Sequence, residues 1–376
     1  MESKKIEEID KNFVIQSNGS ERFTYFNIAS ETNEVNDIKT LFEISGFPWI
    51  KLNESTNSST NNNSFCRLDV SSLHKLSQGV QHLAWCTSGG VVRFASNSDA
   101  IAVKVELTSK DDMSHMPRTG SAGIDLYVGK GKDKKFIKVA MPGSKQGEYE
   151  AVFEGINPKH ELCEWTLNMP LYNGVKKLEI GLLPEAKLEK PAPYFIEKPI
   201  VFYGSSITQG GCASRPGNSY THIICRWLDA NMVNLGFSGN AKGEPEMAEL
   251  ISRIEMSAFV MDYDHNAPSI EHLQNTHESF FKVIRSNHPD LPVIFVSMPD
   301  FDRDAASNLR RGIIHKTYEN AVIMGDKNVY FVDGESLFGS KDRDSCTVDG
   351  CHPNDLGFMR MAENIYPTVK KALNKL

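Results

Sequence analysis

The stretch PIVFYGSSITQGG, residues 199–211, joins an apolar run from Ile200 to Tyr203 to a turn in which Ser205 and Ser206 stand between Gly204 and the pair Gly210-Gly211. A run apolar at every position, and only of strand length, reads as a β-strand buried on both faces. Four more such runs follow, MVNLGF (232–237), SAFVMDY (257–263), LPVIFVSM (291–298) and NVYFVD (328–333). Segments of helical period separate them. Between the third and fourth, Ile270, Leu273, Phe280, Phe281 and Ile284 form an apolar stripe, with Glu271, Gln274, Glu278 and Lys282 facing away. Strands alternating with helices predict a doubly wound α/β domain around a parallel sheet.

Upstream of this stretch the rhythm differs. From about residue 23 to residue 183 the chain reads as short β-branched and aromatic runs broken by Gly, Pro, Asn and Asp. In 101–107 Ile101, Val103, Val105 and Leu107 alternate with Ala102, Lys104 and Glu106, and 175–183 alternates around Leu178, Ile180 and Leu182. Such strands have one buried face and predict a β sandwich without a long helix. Three prolines in LEKPAPYFIEKP (188–199) exclude a helix or central strand there and read as a linker. The expected division is therefore a β domain over 1–190, a linker over 191–198 and an α/β domain over 199–376. The tract NESTNSSTNNN (53–63) can bury nothing and reads as a loop.

A chain of 376 residues is long enough for two cores. Its net charge of -7 comes without a basic run, which argues against nucleic acid and polybasic membrane anchoring. No apolar stretch reaches spanning length, and the opening residues lack an apolar leader core, so a soluble chain is expected. Export and oligomeric state stay open. The seven cysteines have no C-x-x-C pair. They read as free thiols, with a Cys346–Cys351 bridge open in an oxidising compartment.

Ligands of such sheets bind beyond the carboxyl ends of the strands. There the chain places Ser206, then Gly239 in GFSGN, then Asp262-Tyr263-Asp264-His265-Asn266, and finally Asp349-Gly350-Cys351-His352-Pro353. A serine at one strand end, and an Asp three residues before a His near the C-terminus, supply a nucleophile, a base and an orienter. Pro353 fits an early position of the last helix. Asp262, Asp264 and His265 look like metal ligands but lack the glycine and distal glutamate of a calcium loop and a second histidine at zinc spacing, so no metal is expected. His222, His277 and His315 read as surface or helix-face residues.

Four of these segments resemble the blocks of the SGNH/GDSL hydrolases: GSSITQGG the first, SGN the second, HN the third and DGCHP the fifth, in family order over roughly 195–376. The resemblance implies a flavodoxin-like fold and hydrolysis of esters or thioesters. It makes Ser206 the nucleophile, His352 and Asp349 its partners, and the Ser206 N–H, Gly239 N–H and Asn266 amide the oxyanion donors. No cofactor is implied. GIDLY (123–127), with SHMPRTGSAG before it, is similar to the β domain preceding some bacterial members. Asp125 and Tyr127 read as structural strand residues. The polar loop carrying His115, Arg118 and Thr119 is expected to lean over the triad and bind substrate. Two departures are Ser205 where the family has Asp, and Asp264 where its third block has Gly. The implied substrate is a small acyl ester, with acetyl on a carbohydrate foremost. Acyl transfer by the same triad, and a non-catalytic carbohydrate-binding protein, are the alternatives.

Overall fold

The computed structural model describes residues 19–29, 41–49, 65–299 and 305–374. The polar tract 53–63 and the opening segment lie outside these residues. The N-terminal part contains β1 (Thr24–Ala29), β2 (Glu43–Ser45), β3 (Val91–Ser96), β4 (Ile101–Leu107), β5 (Ile124–Val128), β6 (Lys135–Ala140), β7 (Glu148–Phe153), β8 (Cys163–Asn168), β9 (Val175–Leu182) and β10 (Leu188–Glu189). They form two antiparallel sheets, β1-β9-β4-β7 and β10-β3-β8-β5-β6, with β2 paired to β3. The alternation read in β4 and β9 sets their register: Val103 pairs with Ile180 and Val105 with Leu178. These side chains meet Phe94, Trp165 and Leu167 of the opposite sheet in one sandwich core. Burying the Trp165 indole leaves its N–H needing an acceptor, which the Ser96 carbonyl supplies at 3.0 Å.

Not all of this region is β. Val70–Lys75 is a 3₁₀ helix and Gln78–Leu83 an α-helix, capped by the Asp69 and Ser77 side chains. Leu73, Leu76, Val80 and Ala84 recur every three or four residues and pack against the parallel sheet rather than the sandwich. That spacing, with Ser77 before it, is the helix signal the β reading passed over.

The C-terminal part contains β11 (Ile196–Gly204), β12 (Ala230–Gly236), β13 (Ala258–Asp262), β14 (Val293–Val296) and β15 (Val329–Val332). All five predicted apolar runs are strands. The sheet is parallel, in the flavodoxin-like order β12-β11-β13-β14-β15. Helices Tyr220–Leu228 and Asp355–Leu373 cover one face, and Pro245–Ile251, Ile270–Asn287 and Ala305–Ile323 the other. Among the described residues no helix is long and apolar enough to cross a membrane.

Two expectations need correction here. The segment expected as a linker ends inside a central strand, because β11 starts at Ile196, which pairs with Ala230. Pro199 is tolerated there since it sits at the register shift between Ile196 and Ile200, where its missing N–H breaks no ladder bond. His222 and His277 are not surface residues. His277 belongs to the apolar stripe of its helix, with Nδ1 2.9 Å from the Thr317 hydroxyl, and His222 Nδ1 lies 2.7 Å from that of Ser219. Burial lowers both imidazoles to about 3.

Candidate active site

Ser206 stands at the first position of the short helix Ser206–Gln209, directly after β11. The Ser205 side chain caps that helix by accepting from the Ile207 N–H at 3.2 Å, which is the local work of the serine replacing the family's aspartate. Ser206 is buried to 8 % exposure, and its Oγ lies 2.9 Å from His352 Nε2. His352 Nδ1 lies 2.7 Å from Asp349 Oδ2. The three-residue spacing brings this about as anticipated, since Asp349 Oδ1 also accepts the Cys351 and His352 N–H groups and so folds the turn on itself. Burial works against the Asp349 charge, but hydrogen bonds from the His352 ring and these N–H groups outweigh it and hold the carboxyl at about 2. A carboxylate kept ionised beside Nδ1 fixes the tautomer that leaves Nε2 free to accept the Ser206 proton. Pro353 precedes the last helix instead of entering it. Asn354 is the cap, accepting from the Gly357 N–H, and Pro353 bridges to Thr347. Among the described residues no disulfide joins any of the seven cysteines, Cys346 and Cys351 included.

Two further strand ends lie beside the one that carries this serine, since Gly204 pairs with Gly236 of β12 and Asp262 of β13. After β12, Gly239 adopts φ +68°, a left-handed conformation that glycine takes without strain, and its N–H makes no hydrogen bond among the described residues. After β13, Asn266 donates from Nδ2 to the Phe237 carbonyl at 2.9 Å, leaving the second amide hydrogen for another acceptor. Asp264, where a glycine was expected, needs no special backbone angle. It is fully buried, its Oδ2 accepts the Met298 N–H at 3.1 Å, and its carbonyl accepts from Arg310. Asp262 is directed elsewhere, to the hydroxyls of Tyr220 (2.8 Å) and Thr208 (3.1 Å). Burial, with Asp264 close by, lifts its carboxyl to about 7. Among the described residues the grouping that does have ligand spacing is His115, Asp349 and His352, with one donor atom from each lying within 4.8 Å of the others. In it Asp349 and His352 already engage one another.

His115 comes from the sandwich side, and its ring centroid is 5.6 Å from that of His352. It is the member of the proposed recognition loop that reaches the triad. Arg118 does not serve as a free donor, because its guanidinium is occupied by the Asp112 carboxylate and the carbonyls of Asp111 (3.1 Å) and Gln146 (2.7 Å). Thr119 likewise donates to the Ser214 carbonyl and docks the loop on the α/β domain. Gly120 permits that docking, as a Cβ there would stand 2.0 Å from the Ala213 carbonyl oxygen.

Three contributors escaped the sequence reading. The Tyr172 hydroxyl donates to the Ser206 carbonyl at 3.0 Å, the Ser88 hydroxyl to that of Gln209 at 2.7 Å, and Arg67 reaches the end of β12. Each sits alone in a loop, without a pattern to mark it. Asp125 and Tyr127 of GIDLY are strand residues as expected, yet both bond to Arg215 of the α/β domain, at 3.1 Å for Asp125.

Residues 197–370 match the GDSL-like lipase/acylhydrolase family, and residues 48–188 match the GxDLY module, the N-terminus of SGNH-hydrolase-type esterases. The chain belongs to the GDSL-like lipase/acylhydrolase family. Among solved structures this acylhydrolase-family chain is similar to a candidate GDSL-like lipase from Bacteroides ovatus ATCC 8483, at 29% identity and TM-score 0.79, over 94% of this chain and 98% of that one. It shares its fold with the salicylyl-acyltransferase SsfX3 of a tetracycline biosynthetic pathway, at 18% identity and TM-score 0.72, again over 94% and 98%. It also shares it with the acetyl xylan esterase Est2A of the rumen bacterium Butyrivibrio proteoclasticus, at 15% identity and TM-score 0.55, over 94% and 99%. No curated protein matches the chain.

Proposed function

We propose that this acylhydrolase-family chain is a serine esterase that removes a small acyl group, acetyl foremost, from a carbohydrate ester. The observation that carries the reading is the unbroken relay Ser206 Oγ–His352 Nε2 at 2.9 Å and His352 Nδ1–Asp349 Oδ2 at 2.7 Å. His352 takes the Ser206 proton as Oγ attacks the ester carbonyl, and Asp349 balances the imidazolium so formed. The Ser206 N–H, which as the first of its helix has no intrahelical acceptor, joins the Gly239 N–H and the Asn266 amide around the oxyanion. Collapse expels the alcohol with the proton returned from His352, leaving an acyl-Ser206 that water then hydrolyses by the same relay.

The substrate class rests on different support. His352 and Asp349 lie at the surface, with side-chain exposures of 24% and 37%, so a bulky alcohol need not be enclosed to reach Ser206. Solved relatives in fold include a family two carbohydrate esterase from Clostridium thermocellum in complex with cellohexaose, as well as the acetyl xylan esterase. Acyl transfer is the second reading, favoured by the likeness in fold to the salicylyl-acyltransferase over nearly the whole chain. It needs only another hydroxyl in place of water.

The test is a panel of acetylated sugars, aryl acetates and acyl thioesters with mass analysis of products, run on the parent and on Ser206→Ala. A serine-directed phosphonate should label Ser206 once. Turnover undiminished in Ser206→Ala, or inactivation by a label elsewhere, would overturn the triad. A protein that binds glycan without turning over any ester would be a binding module.

A further inference from the structure

Arg67 is the least expected charge in the molecule. It lies in the segment before the helices Val70–Lys75 and Gln78–Leu83, is fully buried, and pairs with no carboxylate among the described residues. Its hydrogen bonds run to carbonyl oxygens alone: Nη1 to Asn234 at 2.9 Å and Gly236 at 2.7 Å, and Nη2 to Leu83 at 2.7 Å. The guanidinium also covers the Phe237 ring, 4.6 Å from its centroid. Burial lowers its pKa to about 10, so the group still carries its charge at neutral pH. An ion buried without a counterion is costly. Apolar residues of similar volume would fill the place more cheaply if packing were its only purpose.

What Arg67 grips is the junction of the turns at the three neighbouring strand ends. The Phe237 N–H donates to the Gly204 carbonyl at 2.8 Å, tying the end of β12 to the turn that carries Ser206. The Phe237 carbonyl accepts the Asn266 amide at 2.9 Å. Gly239 follows two residues later. A guanidinium on the Gly236 carbonyl polarises the peptide whose N–H reaches Gly204, and it adds an uncompensated positive charge behind the turns where negative charge develops.

We infer that Arg67 is a positioning residue for the acyl-transfer step, holding the Asn234–Gly239 turn from outside the α/β domain so that the Gly239 N–H and the Asn266 amide face the oxyanion. This rests on the triad reading above and adds to it a part played by the segment between β2 and β3 of the sandwich.

The experiment compares Arg67→Met and Arg67→Lys with the parent on one acetyl ester. Circular dichroism and thermal melting establish the folded fraction. A boronic acid, which mimics the tetrahedral adduct, serves as a second probe. Expected for folded Arg67→Met is a kcat lower by about tenfold or more, a KM within about threefold of the parent, and boronate binding weakened by the same factor as kcat. Arg67→Lys should recover part of the loss, since it keeps the charge without the fork that reaches Asn234, Gly236 and Leu83 together. A folded Arg67→Met with parental kcat, or one whose kcat falls only with its folded fraction, overturns the inference. If Arg67→Met does not fold, Arg67→Lys decides alone, a parental kcat overturning it and a reduced kcat at unchanged KM supporting it. Phosphonate labelling of the parent at Ser206 separates the outcomes, because labelled Ser206 with an indifferent Arg67 removes this inference and leaves the triad standing.

Discussion

Replacing Asp125 by Ala should loosen the contact between the two parts of the chain. Asp125 is completely buried in β5. Its Oδ1 accepts from Asn168 Nδ2 at 2.7 Å, and its Oδ2 from the Gly217 N–H at 2.8 Å and Arg215 Nη1 at 3.1 Å. Burial raises its pKa against the pull of Arg215, so the carboxylate is held there by its partners rather than by solvent. Truncation leaves a guanidinium, a backbone N–H and an amide without their acceptor. Breaking a buried ion pair from one side costs about 3–5 kcal/mol. The lower end applies here, because Arg215 keeps 19% side-chain exposure, its bond to Tyr127 and its stacking 3.9 Å over Phe136. About 3 kcal/mol corresponds to a Tm lower by roughly 6–12 °C. Tryptophan fluorescence melts and urea titration measure it. The cycle through Arg215→Met and the double variant should give a coupling of about 1.5 kcal/mol or more, the double being milder than the sum. A loss below about 1 kcal/mol, or strict additivity, would show that this contact does not join the two parts as described.

The buried imidazoles predict acid sensitivity. With folded values of about 3 for His222 and His277, below the unfolded value of about 6.5, their contribution is present above about pH 6.5 and is lost as pH falls toward 3. His277→Gln should flatten the stability–pH slope by about one proton, roughly 1.4 kcal/mol per pH unit, and an unchanged slope in urea titrations across that range would remove His277 as a cause. Ser205→Ala removes a helix cap, so a loss of about 1 kcal/mol with much of the esterase activity retained is expected, and abolished turnover in a folded protein would contradict it. His115→Ala should alter the ranking of ester substrates. Arg118→Ala should lower the melting temperature through the loop it clamps, and kinetics showing the reverse assignment would restore Arg118 as the substrate residue.

The α/β domain was legible because its strands are buried on both faces and so are apolar at nearly every position, as Val201, Phe202, Val260 and Ile294 show. The hydrogen-bonded grouping of Ser206, His352 and Asp349, the triad proposed above, was legible for a related reason, since strand ends and a three-residue Asp-His spacing are local. What failed was long-range. Arg118 looked like a free donor because nothing in the sequence shows that Asp112 and the Gln146 carbonyl surround it. His277 was left between surface and helix face because a polar residue on an apolar stripe is ambiguous until Thr317 arrives from another helix. Arg67 gave no signal at all, its acceptors being backbone carbonyls, two of them 167 and 169 residues away.

The helical segment between β2 and β3 also sets an order of events during synthesis. The strands of the sandwich are all complete by Glu189, whereas Leu73, Leu76 and Val80 rest on Val201, Val233 and Phe259, which leave the ribosome much later. At 5–20 residues per second the 45 residues from Glu189 to Asn234 take roughly 2–9 s to make. Through that interval the sandwich can close while an apolar helix still waits for its partner sheet. A nascent chain that stalls between Glu189 and Asn234 therefore presents a folded β body with a sticky arm, and chaperones or proteases would meet that arm first.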